Sequence, residues 1–284
     1  MRGIAYMALG MFLFSAVDAG AKFLTDTLHP IQIVWTRQLG LLVGVFVLLA
    51  VRGLSVLRTD HRGMQMTRGA LAAFSATCFI IGVKFVPLAD AVAVAFVAPF
   101  LVTLMGALIL RETVGIRRWT AVIIGFIGTL IVIRPGMGVI HPAVLLVLAA
   151  AFLFAVRQII SRMLAGADPV STTVAYTALT GSILLTFPLP FVWQWPQTGL
   201  EWGVMVLIAV LAGCAEFLVI KALEVAQAVV VAPLQYSLLI WGTGYGYFIF
   251  HDLPDLWTLV GASIIVATGL YTLNRERKLQ QGRG

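Results

Sequence analysis

Asp18, Arg37, Gln38, Arg157, Gln158 and Glu216 stand inside long apolar runs of a sequence with few charges. A charge at bilayer depth costs about 2.5–3.5 kcal/mol on insertion scales, so such groups usually face a protein interior or a wet cavity. Asp18 lies about 14 residues into the first run, roughly 21 Å along a helix at ~1.5 Å per residue. Arg37 lies about six residues into the second, which puts both at a similar depth. A carboxylate facing a guanidinium can receive the amine and carboxylate of a zwitterionic ligand. It can equally be an ion pair that joins two helices. Arg157 either faces the cavity or extends to the headgroups. Glu216, in GCAEFLVIK, has no basic residue within a turn. A carboxyl group so placed can carry a proton through a cycle or stay neutral and hydrogen-bonded.

Aromatic and amide groups suggest a wall for a flat ligand. Gln235, Tyr236, Trp241 and Tyr245 share one run, and Trp35 and Tyr176 sit in two others. Gly242 and Gly246 form a G-x-x-x-G, which also permits close helix contact. None of this is catalytic machinery. The histidines at 29, 61, 141 and 251 lack metal-ligand spacing, and no phosphate-binding G-x-x-x-x-G-K-[ST] occurs. No enzyme, metal or cofactor is expected. The inserted prolines Pro87, Pro99 and Pro233 remove backbone donors and bend or break helices, which makes them candidate hinges.

The elements that hold these residues follow from composition. The chain of 284 residues is 61% hydrophobic and 11% charged. Soluble domains carry about 45–50% apolar and about 25% charged residues. Runs of about 20 apolar residues, enough to cross a ~30 Å hydrocarbon core, recur throughout, and the alternation of a membrane β-barrel is absent. The expected fold is all-α, with ten transmembrane helices at 4–24, 31–51, 69–86, 90–110, 119–134, 142–162, 171–190, 203–222, 228–250 and 256–273. Arg2, the following apolar run and SAVDAGA imitate a secretory signal. Asp18 interrupts that run, and its pattern returns later, so it is read as the first span.

The formal charge of +7 reflects loop bias, and nucleic acid is not an expected partner. With a cytoplasmic N-terminus, most Lys and Arg fall on the inner side, from Arg2 and Arg52–Arg68 to Arg275–Arg283. Only Lys22, Lys84 and Arg134 fall near the other face. The positive-inside rule then places both termini in the cytoplasm. Trp193 and Trp195 mark the outer interface. Cys78 and Cys214 lie in apolar runs and read as packing residues, not a disulfide framework.

The halves also repeat. Phe12–Phe14 and Phe152–Phe154 both read FLF. Lys84 and Lys221 each begin K-x-x-x-x-A-x-A-V, and each is followed by Ala-Pro, at Pro99 and Pro233. Trp119-Thr120 and Trp257-Thr258 open the fifth and tenth spans, and Asp168-Pro169 echoes His29-Pro30. The separations are 134 to 140 residues, in order. Two five-helix units, 1–138 and 139–284, are therefore expected. An odd number of helices inverts the second unit relative to the first, as in many secondary transporters.

On these marks, together with RETV at Arg111–Val114, the chain resembles the EamA-like ten-helix branch of the drug/metabolite transporter superfamily, along nearly its whole length. The resemblance implies a helical basket around a central cavity, with helices five and ten peripheral. It implies secondary transport of a small metabolite across the inner membrane, with amino-acid export as the first reading. Uptake of riboflavin or S-adenosylmethionine is the alternative, and drug export is a sub-case. A non-transporting membrane scaffold is the rival class. Expected partners are a small-molecule substrate, the lipid bilayer and protons as candidate coupling ion, in a monomer or homodimer.

Overall fold

The computed structural model describes residues 2–111, 115–134, 141–164, 167–226 and 231–281. The described residues are helical or in connections, with no strand among them. The helices are α1 (Arg2–Leu24), α2 (Pro30–Arg52), α3 (Arg62–Phe85), α4 (Leu88–Ala95), α5 (Ala98–Leu108), α6 (Ile116–Ile133), α7 (Val144–Leu164), α8 (Val170–Thr186), α9 (Leu189–Val192), α10 (Gly199–Val225), α11 (Ser237–Phe250) and α12 (Leu256–Gln281). Short 3-10 turns cover Leu54–Leu57 and Ala232–Tyr236. Six helical stretches are long and apolar enough to cross a membrane, counting Leu88–Leu108 as one. Shorter apolar helices at Trp119–Ile133, Val170–Thr186 and Leu256–Tyr271 accompany them. This is an all-helical, multi-pass membrane protein.

Local chemistry sets the ends. His29 caps α2 by accepting the amide of Ile31 at 3.3 Å. Thr198 and Glu201 close a capping box, so α10 starts four residues before the expected position 203. Each side chain there accepts an amide that the first turn leaves without a partner. Helix α3 begins at Arg62 rather than 69, which carries Arg68 into the helix.

The fourth span does not merely kink at Pro99. It stops at Ala95 and restarts at Ala98, with Pro99 in the first turn of α5. The missing amide would have paired with the Ala95 carbonyl, and the ring crowds that carbonyl, so the ladder ends there. Val97 instead donates to Val94 at 3.0 Å. Pro233 similarly sits in the first turn of the 3-10 segment before α11. The spacing of Asp90 after Pro87 suggests a cap for the fourth span, but Asp90 does not cap α4. Pro87 holds the cap position, and Asp90 lies in the first turn, accepting the Thr258 hydroxyl at 2.9 Å. The 112–114 part of RETV, and Gln227, lie outside the described residues.

Packing follows one pattern. Helix α1 packs on α10 as α7 packs on α3, and α1 on α11 as α7 on α5. Helix α2 packs on α10 as α8 packs on α3, while α2–α8, α4–α11 and α6–α12 pair directly. Exchanging α1, α2, α3, α5 and α6 for α7, α8, α10, α11 and α12 maps these packed pairs onto one another, α4–α11 excepted. The main buried cluster joins Leu24, Ile33, Val83, Leu88, Val147 and Ile208 across both halves. It lies towards the end of the bundle where α1 stops, the far end; α1 begins at the near end.

Two crossings need glycine. A Cβ at Gly40 on α2 would overlap the Ala209 carbonyl of α10, and one at Gly213 would sit 2.9 Å from the Gly40 oxygen. Helices α6 and α12 cross the same way, a Cβ at Gly128 falling 2.9 Å from the Gly261 oxygen. The expected G-x-x-x-G pair is roomier: a Cβ at Gly242 would meet Val92 at an ordinary 3.4 Å.

Candidate functional site

Asp18 and Arg37 meet as the sequence suggested. Arg37 Nη1 donates to Asp18 Oδ1 at 3.1 Å, with the side chains 22% and 16% exposed. The Arg37 guanidinium also stands over the Phe14 ring, 5.7 Å from its centroid. Next to it, Gln38 donates to the Thr177 carbonyl of α8 at 3.2 Å.

Glu216 is not isolated. It lies within electrostatic reach of Arg157 on α7 and of Arg68 on α3. Only tertiary packing brings these cations to it, so a search within one turn of its own helix could not find them. Arg157 also feels Arg37. Its guanidinium rests on the Phe154 ring at 4.7 Å, and its Nε is buried with no hydrogen-bond partner. This places Arg157 inside the bundle, not at the headgroups. Gln158, one residue on, is half-buried.

Arg68 is the member the sequence did not single out, because it read as the last cation of a loop. It donates to Ser161 Oγ at 2.6 Å and, by a short bond, to the Thr177 hydroxyl. Ser161 in turn donates to the Arg157 carbonyl at 2.8 Å. The result is a polar belt across α1, α2, α3, α7 and α10, with three guanidiniums and two carboxylates, of which Arg37 and Asp18 are in contact.

An aromatic wall adjoins the belt. Phe12 meets Trp241 edge-on at 5.0 Å and Tyr245 at 5.7 Å. Phe14 and Trp241 pack against the same buried cluster, which includes Met7 and Met11. The Trp241 indole nitrogen is buried without a partner. Phe12 and Phe14 served in the sequence only as marks of a repeat.

The remaining candidates point elsewhere. The Tyr176 hydroxyl donates to the Leu57 carbonyl at 3.2 Å and fastens the α2–α3 connection. Trp35 donates to Thr186 Oγ1 at 2.9 Å and meets Trp193 edge-on at 6.1 Å, within an indole group at the far end. Tyr236 stacks on Phe96 at 5.1 Å, and its hydroxyl fills the notch at Gly269 of α12, where a Cβ would overlap it. Gln235 is exposed. Among the described residues no group of three His, Cys, Asp or Glu is arranged to hold a metal.

At the far end, Lys22 Nζ donates to Asp252 Oδ2 at 3.1 Å and to the Val86 carbonyl at 3.2 Å. Gln32 and the Gln194 backbone exchange two hydrogen bonds of 2.9 Å. At the near end, Asp168 accepts from Gln65 and from Thr59, both at 2.7 Å. Those two bonds hold its carboxyl below the usual carboxylate range.

This chain is similar to named transporters. It is 24% identical to the S-adenosylmethionine uptake transporter of Rickettsia prowazekii, across 98% of this chain and 94% of that protein. It is 26% identical to the pseudopaline exporter of Pseudomonas aeruginosa, across 97% of each. The riboflavin transporter of Vibrio cholerae is 30% identical over 78% of this chain and 75% of its own. A solved crystal structure superposes with a TM-score of 0.65 at 18% identity, covering 97% of this chain and 98% of that one, which speaks for the fold. The model of the EamA-like transporter family matches residues 1–134 and 141–274, so the chain belongs to that family.

Proposed function

We propose that the protein is a secondary transporter that carries a small metabolite across the inner membrane by alternating access. The observation that carries the reading is the charged belt, Asp18–Arg37 with Arg157 and Glu216, inside an otherwise apolar bundle. Charges kept at membrane depth need a reason, and a wet path for a polar solute supplies one. The second support is the packing, in which the main helix pairs, α4–α11 excepted, map onto one another when the halves are exchanged. Two inverted five-helix units, 1–138 and 139–284, can trade conformations and so move an opening from one face to the other. The excess of basic residues in one set of loops supports a cytoplasmic position for both termini.

The substrate class is an amino acid or a metabolite bearing an amino-acid group. Asp18 suits the amine of a zwitterion and the guanidiniums of the belt suit its carboxylate, and the wall of Phe12, Trp241 and Tyr245 suits an apolar or flat body. Export of amino acids is the first direction to test. Uptake of a flat metabolite is the second, favoured by relatives named for S-adenosylmethionine and riboflavin. Protons are the candidate coupling ion. Purified protein in liposomes, offered labelled amino acids, S-adenosylmethionine and riboflavin under imposed proton and solute gradients, decides. Saturable flux of one class is expected. No flux under any gradient leaves a membrane scaffold as the better reading.

A further inference from the structure

We infer that Arg157 is the anchor for a carboxylate on the transported ligand. This deepens the reading above and rests on it for the identity of the site. The inference begins with the other two cations of the belt, which already have partners. Arg37 is paired with Asp18 at 3.1 Å. Arg68 donates to Ser161 and Thr177. The Arg157 guanidinium makes no hydrogen bond or ion pair within 4.0 Å to the described residues, and its Nε is shielded from solvent. A guanidinium offers five donors in a rigid fork, and a buried one left unmatched is costly. Phe154 supports one face of its plane at 4.7 Å, which fixes the fork and leaves its edge free for a planar anion.

Charge balance points the same way. Asp18 and Glu216 supply two negative charges against the three positive charges of Arg37, Arg68 and Arg157. Arg157 lies in the field of Arg37, a like charge, and Glu216 lies within electrostatic reach of both Arg157 and Arg68. The belt therefore carries one formal positive charge too many for a low-dielectric interior. An incoming carboxylate removes that excess and relieves the repulsion between Arg37 and Arg157. A carboxylate can accept two parallel N–H bonds from the fork, which a neutral amide or an amine cannot match. The body of the ligand would then lie along Phe14 and Trp241, whose indole N–H is also buried without a partner. The geometry thus selects an amphipathic carboxylate over a neutral flat ring system of the same size.

Acid and amine pairs that differ only in the carboxylate test this directly. The probes are tryptophan with tryptamine, and S-adenosylmethionine with its decarboxylated form, with riboflavin as the carboxylate-free comparison. Equilibrium binding to the purified full chain is measured apart from flux. Wild-type protein is expected to bind at least one acid tenfold or more tighter than its amine. Arg157→Gln should bring that ratio close to one while amine binding stays within about threefold. Arg157→Lys, which keeps the charge and loses the fork, should fall between. If Arg157→Gln does not fold, the Lys variant and the wild-type ratio carry the test. Equal binding of acid and amine by wild type, an undiminished ratio in the Gln or Lys variant, or no saturable binding of either acid overturns the assignment. Failure here is separable from failure of the transporter reading. Saturable flux of riboflavin with no acid preference keeps the transporter and discards the anchor. An Arg157-dependent acid preference without flux keeps the anchor and discards transport.

Discussion

Asp18 and Arg37 can hold the helices together, hold the ligand, or both, and the two roles separate by paired substitution. Removing one partner of a shielded pair leaves the other charge uncompensated, at up to about 3–5 kcal/mol when burial is complete. At 16% and 22% exposure the cost here is smaller but of the same sign. Asp18→Asn or Arg37→Gln should each lower the melting temperature and the flux. The double variant should recover much of the stability, because no charge is left alone. If flux recovers with stability, the pair is structural; if flux stays lost, the charges meet the substrate. Asp168 is a simpler case. Hydrogen bonds from Gln65 and Thr59 depress its folded pKa, so its contribution is present above the unfolded value of about 3.9 and is lost as pH falls through the lower folded value. Asp168→Ala also leaves the fully buried Gln65 short of an acceptor, at a cost of about 1–2 kcal/mol. A lower melting temperature at pH 7 is expected, and the gap to wild type should begin to narrow only below about pH 4. A gap that closes near pH 6 would point to a different group. The pair at 18 and 37 could be read from depth alone. The partners of Glu216 could not, since Arg157 and Arg68 reach it from helices remote in sequence.

At the scale of elements, the prolines were readable as interruptions, but their effect was underestimated. Pro99 and Pro233 each stand in the first turn of a segment and not inside one, while Pro87 caps α4. The restarted segments dock outward. Phe100 stacks on Phe126 of α6 at 4.9 Å, and Tyr236 enters the notch at Gly269 of α12. We propose that these joints are hinges about which the inner parts of the fourth and ninth spans turn against the outer helices. Pro99→Ala and Pro233→Ala should therefore change the rate of flux more than the affinity, because an uninterrupted helix resists the turn. Unchanged rates in both variants would make the breaks static. The glycine crossings were only partly readable. Gly40 opens a G-x-x-x-G with Gly44, a spacing that permits close helix contact but does not say which helix approaches. Gly213 has no such partner on its own helix, and its place against Gly40 shows only in the packing.

For the whole molecule, the sequence marks that suggest a repeat recur in order at a near-constant separation, and several helix pairings are compatible with the same exchange. What opens and closes was not legible, because it depends on contacts between loops. The far end is tied across the halves at several points. The firmest is Lys22, 13% exposed, which ends α1 and holds both Asp252 and the Val86 carbonyl, with the Phe250 ring 4.9 Å from its nitrogen. Alternating access requires these contacts to part once per cycle. Losing an ion pair and a hydrogen bond worth together about 1–2 kcal/mol would raise the open population roughly 5–30-fold. Leu28 reports on this, since it is 3% exposed beneath the same surface. In a background without Cys78 and Cys214, a Leu28→Cys chain should react slowly with an impermeant maleimide added at that face. Lys22→Met should speed the reaction by about that factor, and Asp252→Asn should do so to a lesser degree, because the Val86 contact remains. The double variant should exceed Lys22→Met only slightly, since the two residues share one contact. An unchanged labelling rate in Lys22→Met would mean that the far end is held by its packed core, around Leu24, Val83 and Ile208, and that the latch has no part in the motion.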